Sequence, residues 1–350
     1  MPYETKEGHY QIDEHTKLCN LKEGLDKSSI LYLSQREDVL NLQIAFPIFY
    51  DNQGFYTAEI WKLMNEHLFK KGKLFRIYNY SSYEEFSLDF LQYLPALTHL
   101  QLDIKAAKME GYDKLASLKK LDQFIYANED ESGHDYLAFI SDTITNLSVG
   151  GNKKSLSLKK IERFSQLEVL GIGKKSKDLA SIGKLSNLKS VGLTSLRLHD
   201  LSFLCSLKHL ENLRLILGSI SDFESLQSLP LSRFECFQVK GLEDLEFLRS
   251  FEKLEELSIE TQAKITQFPD LSHLTHLRDI HLSELKNLTD FTSLRSIPNL
   301  KKFTILHFKH DPDVLIPVLE NESLEELKFG ASTQKQIKKM ELLKEKYGKK

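Results

Sequence analysis

His307, His310, Asp311 and Asp313 place two imidazoles and two carboxylates within seven residues, donor types that could hold a zinc ion. The stretch follows the apolar run from Leu300 to Ile305 and contains Pro312, so the four residues read equally as a chance surface cluster in a turn. Thiol chemistry has three candidates, Cys19, Cys205 and Cys236, odd in number and without C-x-x-C spacing. Cys236 takes an apolar position in Leu231-Ser-Arg-Phe234-Glu-Cys236, which predicts a buried structural thiol, with a reactive nucleophile as the alternative. The chain has no G-x-x-x-x-G-K-[ST], G-x-G-x-x-G, H-E-x-x-H, G-x-S-x-G or D-x-D-x-D-G motif. No catalytic residue, cofactor or metal is expected.

The elements that carry these residues are set by a repetition. The phrase L-x-x-L-x-L, or its Ile, Val or Phe equivalent, begins at Leu97, Leu121, Ile144, Leu167, Leu188, Leu210, Leu231, Leu254, Leu277, Leu300 and Leu324. The steps between these starts are 24, 23, 23, 21, 22, 21, 23, 23, 23 and 24 residues. Within a phrase such as Leu254-Glu-Glu-Leu257-Ser-Ile259, apolar residues two apart require a short strand with one buried face. Between phrases the spacing changes to three, as in Ile265, Phe268, Leu271, Leu274, Leu277 and in Leu285, Leu288, Phe291, Leu294, Ile297, Leu300. Side chains three apart eclipse in a 3₁₀ segment, so each unit reads as strand, turn and short helical return. No such unit buries its apolar face alone, and stability must come from stacking neighbours, with adjacent strands parallel.

On these phrases residues 94–330 resemble a leucine-rich-repeat solenoid of the short type found in bacterial internalins and phosphatase regulatory subunits. The resemblance implies an α/β fold: a curved parallel sheet, short helices or 3₁₀ segments on the convex side, and a protein-binding role. Those families place an asparagine three residues after the last apolar residue of the phrase. Here only Asn152 stands there, and the position elsewhere holds Gly218, Gln262, Leu285 and Phe308, so irregular turns are expected.

Residues 1–93 do not keep the period and are expected to form a mixed N-terminal cap. Val39, Leu42 and Ile44 suggest a degenerate phrase, Leu74 to Ile77 another, with Asn79 where an apolar residue is expected. Thr57 as N-cap, Glu59, the apolar set Ile60, Trp61, Met64 and Leu68, and Gly72 predict the clearest helix. Phe46, Phe49, Tyr50, Phe55 and Tyr56 would let this cap touch a partner as well as close the core. Residues 331–350 predict a capping helix begun by Ser332, with Ile337, Met340, Leu343 and Tyr347 on one side and a basic, solvated tail. A nucleic-acid or membrane contact is the sharper reading of those lysines, but no exposed aromatics are expected among them.

With 350 residues, 41% hydrophobic, and a formal charge of −3, composition gives no global reason to bind nucleic acid or an anionic membrane. No apolar stretch reaches the length of a membrane span, and the first nine residues lack signal-peptide order, so a cytoplasmic, monomeric protein is expected and the sequons at Asn146, Asn287 and Asn321 carry no weight.

What remains is the concave sheet face. Its early rows are His99, Gln101, Asp103 and Gln123, Ile125, Ala127; then come small residues at Ser148, Gly150, Gly171, Gly173, Ser190 and Gly192, which leave backbone open to a close approach. Arg214, Arg233, Glu235, Phe237, Glu256, Glu260, Asp279 and His281 follow, predicting an acidic patch with an aromatic anchor whose complement is a protein with a basic surface. The expected function is protein binding without catalysis, as a scaffold of bacterial type. An immunity protein or inhibitor that occludes a toxin or enzyme is a second expectation, and an enzyme with its site in residues 1–93 a third.

Overall fold

The computed structural model describes residues 3–45, 56–79, 82–128, 133, 135–150 and 153–350. All eleven phrases form strands with the expected parity of side chains. The chain divides into two units, Met1–Asp178 and Leu179–Lys350.

In the first unit the sheet runs in chain order through β1 (Tyr3–Lys6), β2 (Tyr10–Asp13), β3 (Leu18–Leu21), β4 (Asn41–Ala45), β5 (Leu74–Tyr78), β6 (His99–Ile104), β7 (Gln123–Asn128), β8 (Asn146–Gly150) and β9 (Val169–Ile172). β1, β2 and β3 pair antiparallel, and every described pair from β3 to β9 is parallel. The parallel ladder therefore begins well before Leu97. The apolar parity of Leu42/Ile44 and Phe75/Ile77, all buried, places these degenerate phrases on the ladder. The helix Ala58–His67 starts where Thr57 accepts from Ile60 N, continues as a 3₁₀ turn Phe69–Lys71, and closes at Gly72. Its Trp61 packs on Phe90 and Phe75. Phe46, Phe49, Tyr50, Phe55 and Asn152 lie outside the described residues, while Tyr56 donates its hydroxyl to Lys22 O and packs on Trp61.

In the second unit β10 (Ser190–Thr194), β11 (Asn212–Ile216), β12 (Arg233–Phe237), β13 (Glu256–Glu260), β14 (Asp279–Ser283), β15 (Lys302–Phe308) and β16 (Glu326–Ala331) pair in parallel, each with the next. The inward residues Leu213, Phe234, Leu257, Ile280, Phe303 and Leu327 follow one another in register and are at most 2% exposed. Fully burying such a side chain contributes about 1.5–3 kcal/mol, and the series makes a continuous core rather than separate ones.

The returns are 3₁₀ segments, including Ser202–Leu204, Glu224–Ser228, Glu246–Ser250 and Thr292–Ser296. The run Ile265 to Leu277 departs from this expectation: its apolar residues are buried at the three-residue spacing, but the backbone makes turns and one isolated bridge, Gln267 to Asp290, and no helical segment. Six successive returns of the second unit, those after β10 to β15, begin with an aspartate whose carboxylate accepts from the backbone two residues on: Asp200 from Ser202 N, Asp222 from Glu224 N, Asp244 from Glu246 N, Asp270 from Ser272 N, Asp290 from Thr292 N and Asp311 from Asp313 N, at 2.7–3.0 Å. These short side chains hold N–H groups at the starts of the returns, whether the return is a 3₁₀ segment or, as after Asp270, a series of turns.

The turns after the strands show what stands in for the asparagine ladder. Ser195, Leu217, Gln238, Thr261 and Glu284 follow β10 to β14 directly and all have positive φ. Their N–H groups donate forward to Ile216 O, Phe237 O, Glu260 O, Ser283 O and Leu306 O. Backbone geometry thus satisfies the turns that asparagine side chains satisfy elsewhere. Three amides do act as ladder residues. Asn79, expected to stand in an apolar place, is buried with its side chain bonded to Lys105 N and O, and Asn128 bonds Ala106 N and O from the other side. Gln262, with its amide nitrogen facing Val239 O at 2.8 Å, accepts from Val239 N at 2.9 Å.

At the C-terminus Thr333, not Ser332, caps the helix Gln334–Lys346, because it is the Thr333 hydroxyl that accepts from Gln336 N. Met340 is buried beneath it. The tail then covers the open side of β16: Leu327 N donates to Lys350 O, Lys344 Nζ to Leu327 O, and Lys349 Nζ to Asn321 O and Leu324 O. Several of the terminal lysines therefore serve as backbone caps.

Candidate functional site

Parallel register converts the outward residues of the second unit into three columns. The first reads Asn212, Arg233, Glu256, Asp279, Lys302, Glu326; the second Arg214, Glu235, Ser258, His281, Thr304, Lys328; the third Ile216, Phe237, Glu260, Ser283, Leu306. Between the first two columns lies a groove of about 540 Å³ lined by Arg214, Arg233, Glu235, Glu256, Asp279 and His281 among others. Six of the eight residues singled out from the sequence thus share one hollow. Phe237 and Glu260 do not line it; they are half-buried neighbours in the third column.

The charges are not arranged as a plain acidic patch. Arg214 grips Glu235 with two contacts, Nε to Oε2 at 2.6 Å and Nη2 to Oε1 at 3.2 Å, and this partner holds the guanidinium above its ordinary pKa. Arg233 lies 3.7 Å from Glu256, and Arg278 meets Glu255 at 2.6 Å and Glu256 at 3.9 Å. Among the described residues, two outward carboxylates of this face meet neither arginine nor lysine. Glu260 has only Ser258 Oγ at 3.5 Å and His281 Nε2 at 3.9 Å. Asp279 has no side-chain hydrogen bond; burial pushes its carboxyl above the usual carboxylate range, with Lys302 opposing. Asn212 Oδ1, in the groove lining, is buried and without a hydrogen-bond partner.

The third column carries an apolar group. Ile216 stands opposite Phe237 in the ladder, and Leu217 donates its N–H to Phe237 O at 2.8 Å. Leu217 holds φ 59° with its side chain 38% exposed. A residue with a Cβ in the left-handed region costs about 1–2 kcal/mol relative to the right-handed one. Its parity in the phrase gave no sign of exposure, because the turn rotates it away from the inward place that alternation assigns.

The same face of the first unit is closed on itself. Gln43 Nε2 donates to Asn20 Oδ1 at 2.6 Å, Arg76 Nη1 to Gln43 Oε1 at 3.3 Å, and Arg76 Nε and Gln101 Nε2 both to Asp103 Oδ2, at 2.7 and 2.8 Å. Gln43 and Arg76 belong to the degenerate phrases, and the period-two signal of Leu42/Ile44 and Phe75/Ile77 could have found them. A smaller hollow of about 270 Å³ lies beside this network. The small residues have a packing reason: a Cβ on Gly171 would come within 2.5 Å of Ser148 Oγ.

The other chemistry-bearing residues do not converge. His307 Nδ1 meets Ser283 Oγ at 3.2 Å, His310 Nε2 meets Lys286 O at 2.8 Å, Asp311 caps its turn and contacts Lys339, and Asp313 pairs with Lys339 at 2.7 Å. Among the described residues no group of three His, Cys, Asp or Glu is arranged to hold a metal. Cys236 is buried, and desolvation pushes its thiol up to about 12, far from the reactive thiolate range. Among the described residues no helix is long and apolar enough to cross a membrane.

No protein-family model matches the sequence, and no curated protein matches it. Solved structures do resemble it. An internalin from Listeria monocytogenes aligns over 90% of this chain and 92% of its own, at 16% identity and a TM-score of 0.50. A chain of the Toll–Spätzle complex of Drosophila aligns over 97% of this chain and 53% of its own, at 15% identity and a TM-score of 0.54. Identities this low speak to fold alone, and they agree with the ladder, the period and the 3₁₀ returns. The chain is a leucine-rich-repeat solenoid.

Proposed function

We propose that this protein is an interaction module that holds a protein partner on the outward sheet face of its second unit and performs no chemistry there. The observation that carries the reading is the groove of about 540 Å³, whose lining combines two arginines, three carboxylates and a histidine on rigid strands. Rigid, charge-patterned surfaces select partners by complementarity and speed their encounter. Paired arginines and glutamates keep the face soluble while it is empty, and Asp279 and Glu260 are left to meet a partner's cations. The face is the one expected to be concave in repeats of this kind. Free cysteines, two of them buried, fit a reducing compartment, and a cytoplasmic site of action is part of the proposal.

The test is comparative capture from the native host by the parent chain and by two variants, Phe237→Ala and the double reversal Glu256→Lys/Glu260→Lys, with thermal unfolding of each. The reading expects one protein retained by the parent and lost from both folded variants. Equal retention by all three would move binding off this face.

A further inference from the structure

We infer that the partner of this face is an extended segment in which a bulky apolar residue and a lysine or arginine stand two positions apart, the apolar side chain on Ile216, Leu217 and Phe237 and the cation on Glu260. The inference rests on the binding role proposed for the second unit and adds the chemistry of what is bound.

Three observations carry it. First, Leu217 is a left-handed leucine with an exposed side chain beside Phe237, to whose carbonyl its own N–H is tied. The fold puts Ser195, Gln238, Thr261 and Glu284 in the same left-handed place of the other turns, and Leu217 is the apolar residue among the five, exposed where its neighbours in the series are polar. With half-buried Ile216 and Phe237 it forms a small apolar platform at the ends of β11 and β12. Second, Glu260 is the next residue in the same column, directly opposite Phe237 in the ladder, and no arginine or lysine neutralises it. The nearby Glu235 is already held by Arg214, so Glu260 is the carboxylate beside the platform that a partner's cation would find open. Third, the distances match an extended chain. Neighbouring strands lie about 4.8 Å apart, so the middle of the β11–β12 platform is roughly 7 Å from the β13 column position. Two residues of extended chain span about 6.6–7.2 Å, and residues two apart point to the same side. A segment crossing the strands would therefore aim both side chains at the sheet while the intervening one faces away.

The experiment selects displayed random octapeptides on the full-length chain and measures the affinity of the enriched ones, made synthetically, by fluorescence polarisation. The expected result is enrichment of Leu, Ile, Phe or Trp two positions from Lys or Arg, with binding weakened about tenfold or more by Leu217→Asn and by Glu260→Gln. Leu217→Asn keeps a residue that tolerates the left-handed turn, and unchanged thermal unfolding confirms that the fold is intact. Glu260→Gln should also flatten the salt dependence of binding. Peptides that bind without this spacing, are indifferent to both substitutions, but are lost with Glu256→Lys would overturn this inference and leave the binding face standing. Peptides that survive every substitution on the face, or no enrichment at all, would count against both.

Discussion

The outward faces of the two units are each built on a parallel ladder of the same kind and finish differently. In the first unit Asn20, Gln43, Arg76, Gln101 and Asp103 pass hydrogen bonds from strand to strand. In the second, arginines meet only some of the carboxylates; Asp279 sits partly desolvated without a donor, and an apolar platform stands exposed beside Glu260. A closed polar network stabilises the sheet that carries it, whereas a face with unmet charge and exposed apolar side chains gives up some stability for recognition. This difference is why the binding role proposed above is assigned to the second unit.

The comparison presumes that the cores beneath are equivalent, and this is the largest effect to test. Leu100→Ala in the first unit and Leu257→Ala in the second, each at most 2% exposed, should both cost roughly 2–5 kcal/mol in urea unfolding. A much smaller cost in one unit would mean that the two cores are not alike. Next is the turn chemistry of the second unit. Gly241 has φ 100°, and a Cβ there would lie 1.9 Å from Ile220 O, so Gly241→Ala should cost about 2–3 kcal/mol, read as a lowered denaturation midpoint.

The faces themselves are contrasted by two arginines. Arg76→Ala leaves Asp103 with a broken network and should cost about 1–3 kcal/mol, while Arg214→Ala removes a more exposed pair and should cost under about 1 kcal/mol. The opposite order would reverse the assignment of closed and open faces. Asp279→Asn sharpens the contrast further. Because burial raises the Asp279 pKa in the folded state, its ionised form works against folding above the ordinary carboxylate range, and that penalty is relieved as pH falls. The amide should therefore leave stability equal or slightly higher at neutral pH, by less than about 1 kcal/mol, while partner binding weakens.

The smallest effect is the acid response of the return turns. The Thr292 N–H holds Asp290 below its ordinary value, and the Ser272 N–H does the same for Asp270. A carboxylate depressed in the fold contributes stability above its unfolded pKa and loses it as pH falls through the folded value. Thermal melts at decreasing pH should show the Asp290→Asn variant losing less stability than the parent, since an asparagine oxygen accepts the same bond without titrating.

Much of this was legible along the chain. A recurrence near 23 residues and alternation of period two are local facts, so Leu257, Ile259 and their equivalents announce their burial, and Glu256 and Arg233 their outward parity, without any partner strand in view. The aspartates at 200, 222, 244, 270, 290 and 311 are also legible as a recurring turn signal. What sequence alone could not decide depends on how strands sit beside one another. Arg214 meets Glu235 across 21 residues and Arg233 meets Glu256 across 23, so a patch that reads as acidic along the chain is mostly neutralised between rows. Asn79 looks misplaced in its own phrase, and its role appears only when Lys105 lies alongside. Leu217 is inward by parity and exposed by its turn. Periodicity and burial are properties of the local chain against a nonspecific core; which charge meets which, and which side chain is left without a partner, depends on inter-strand register, and only the tertiary structure supplies it.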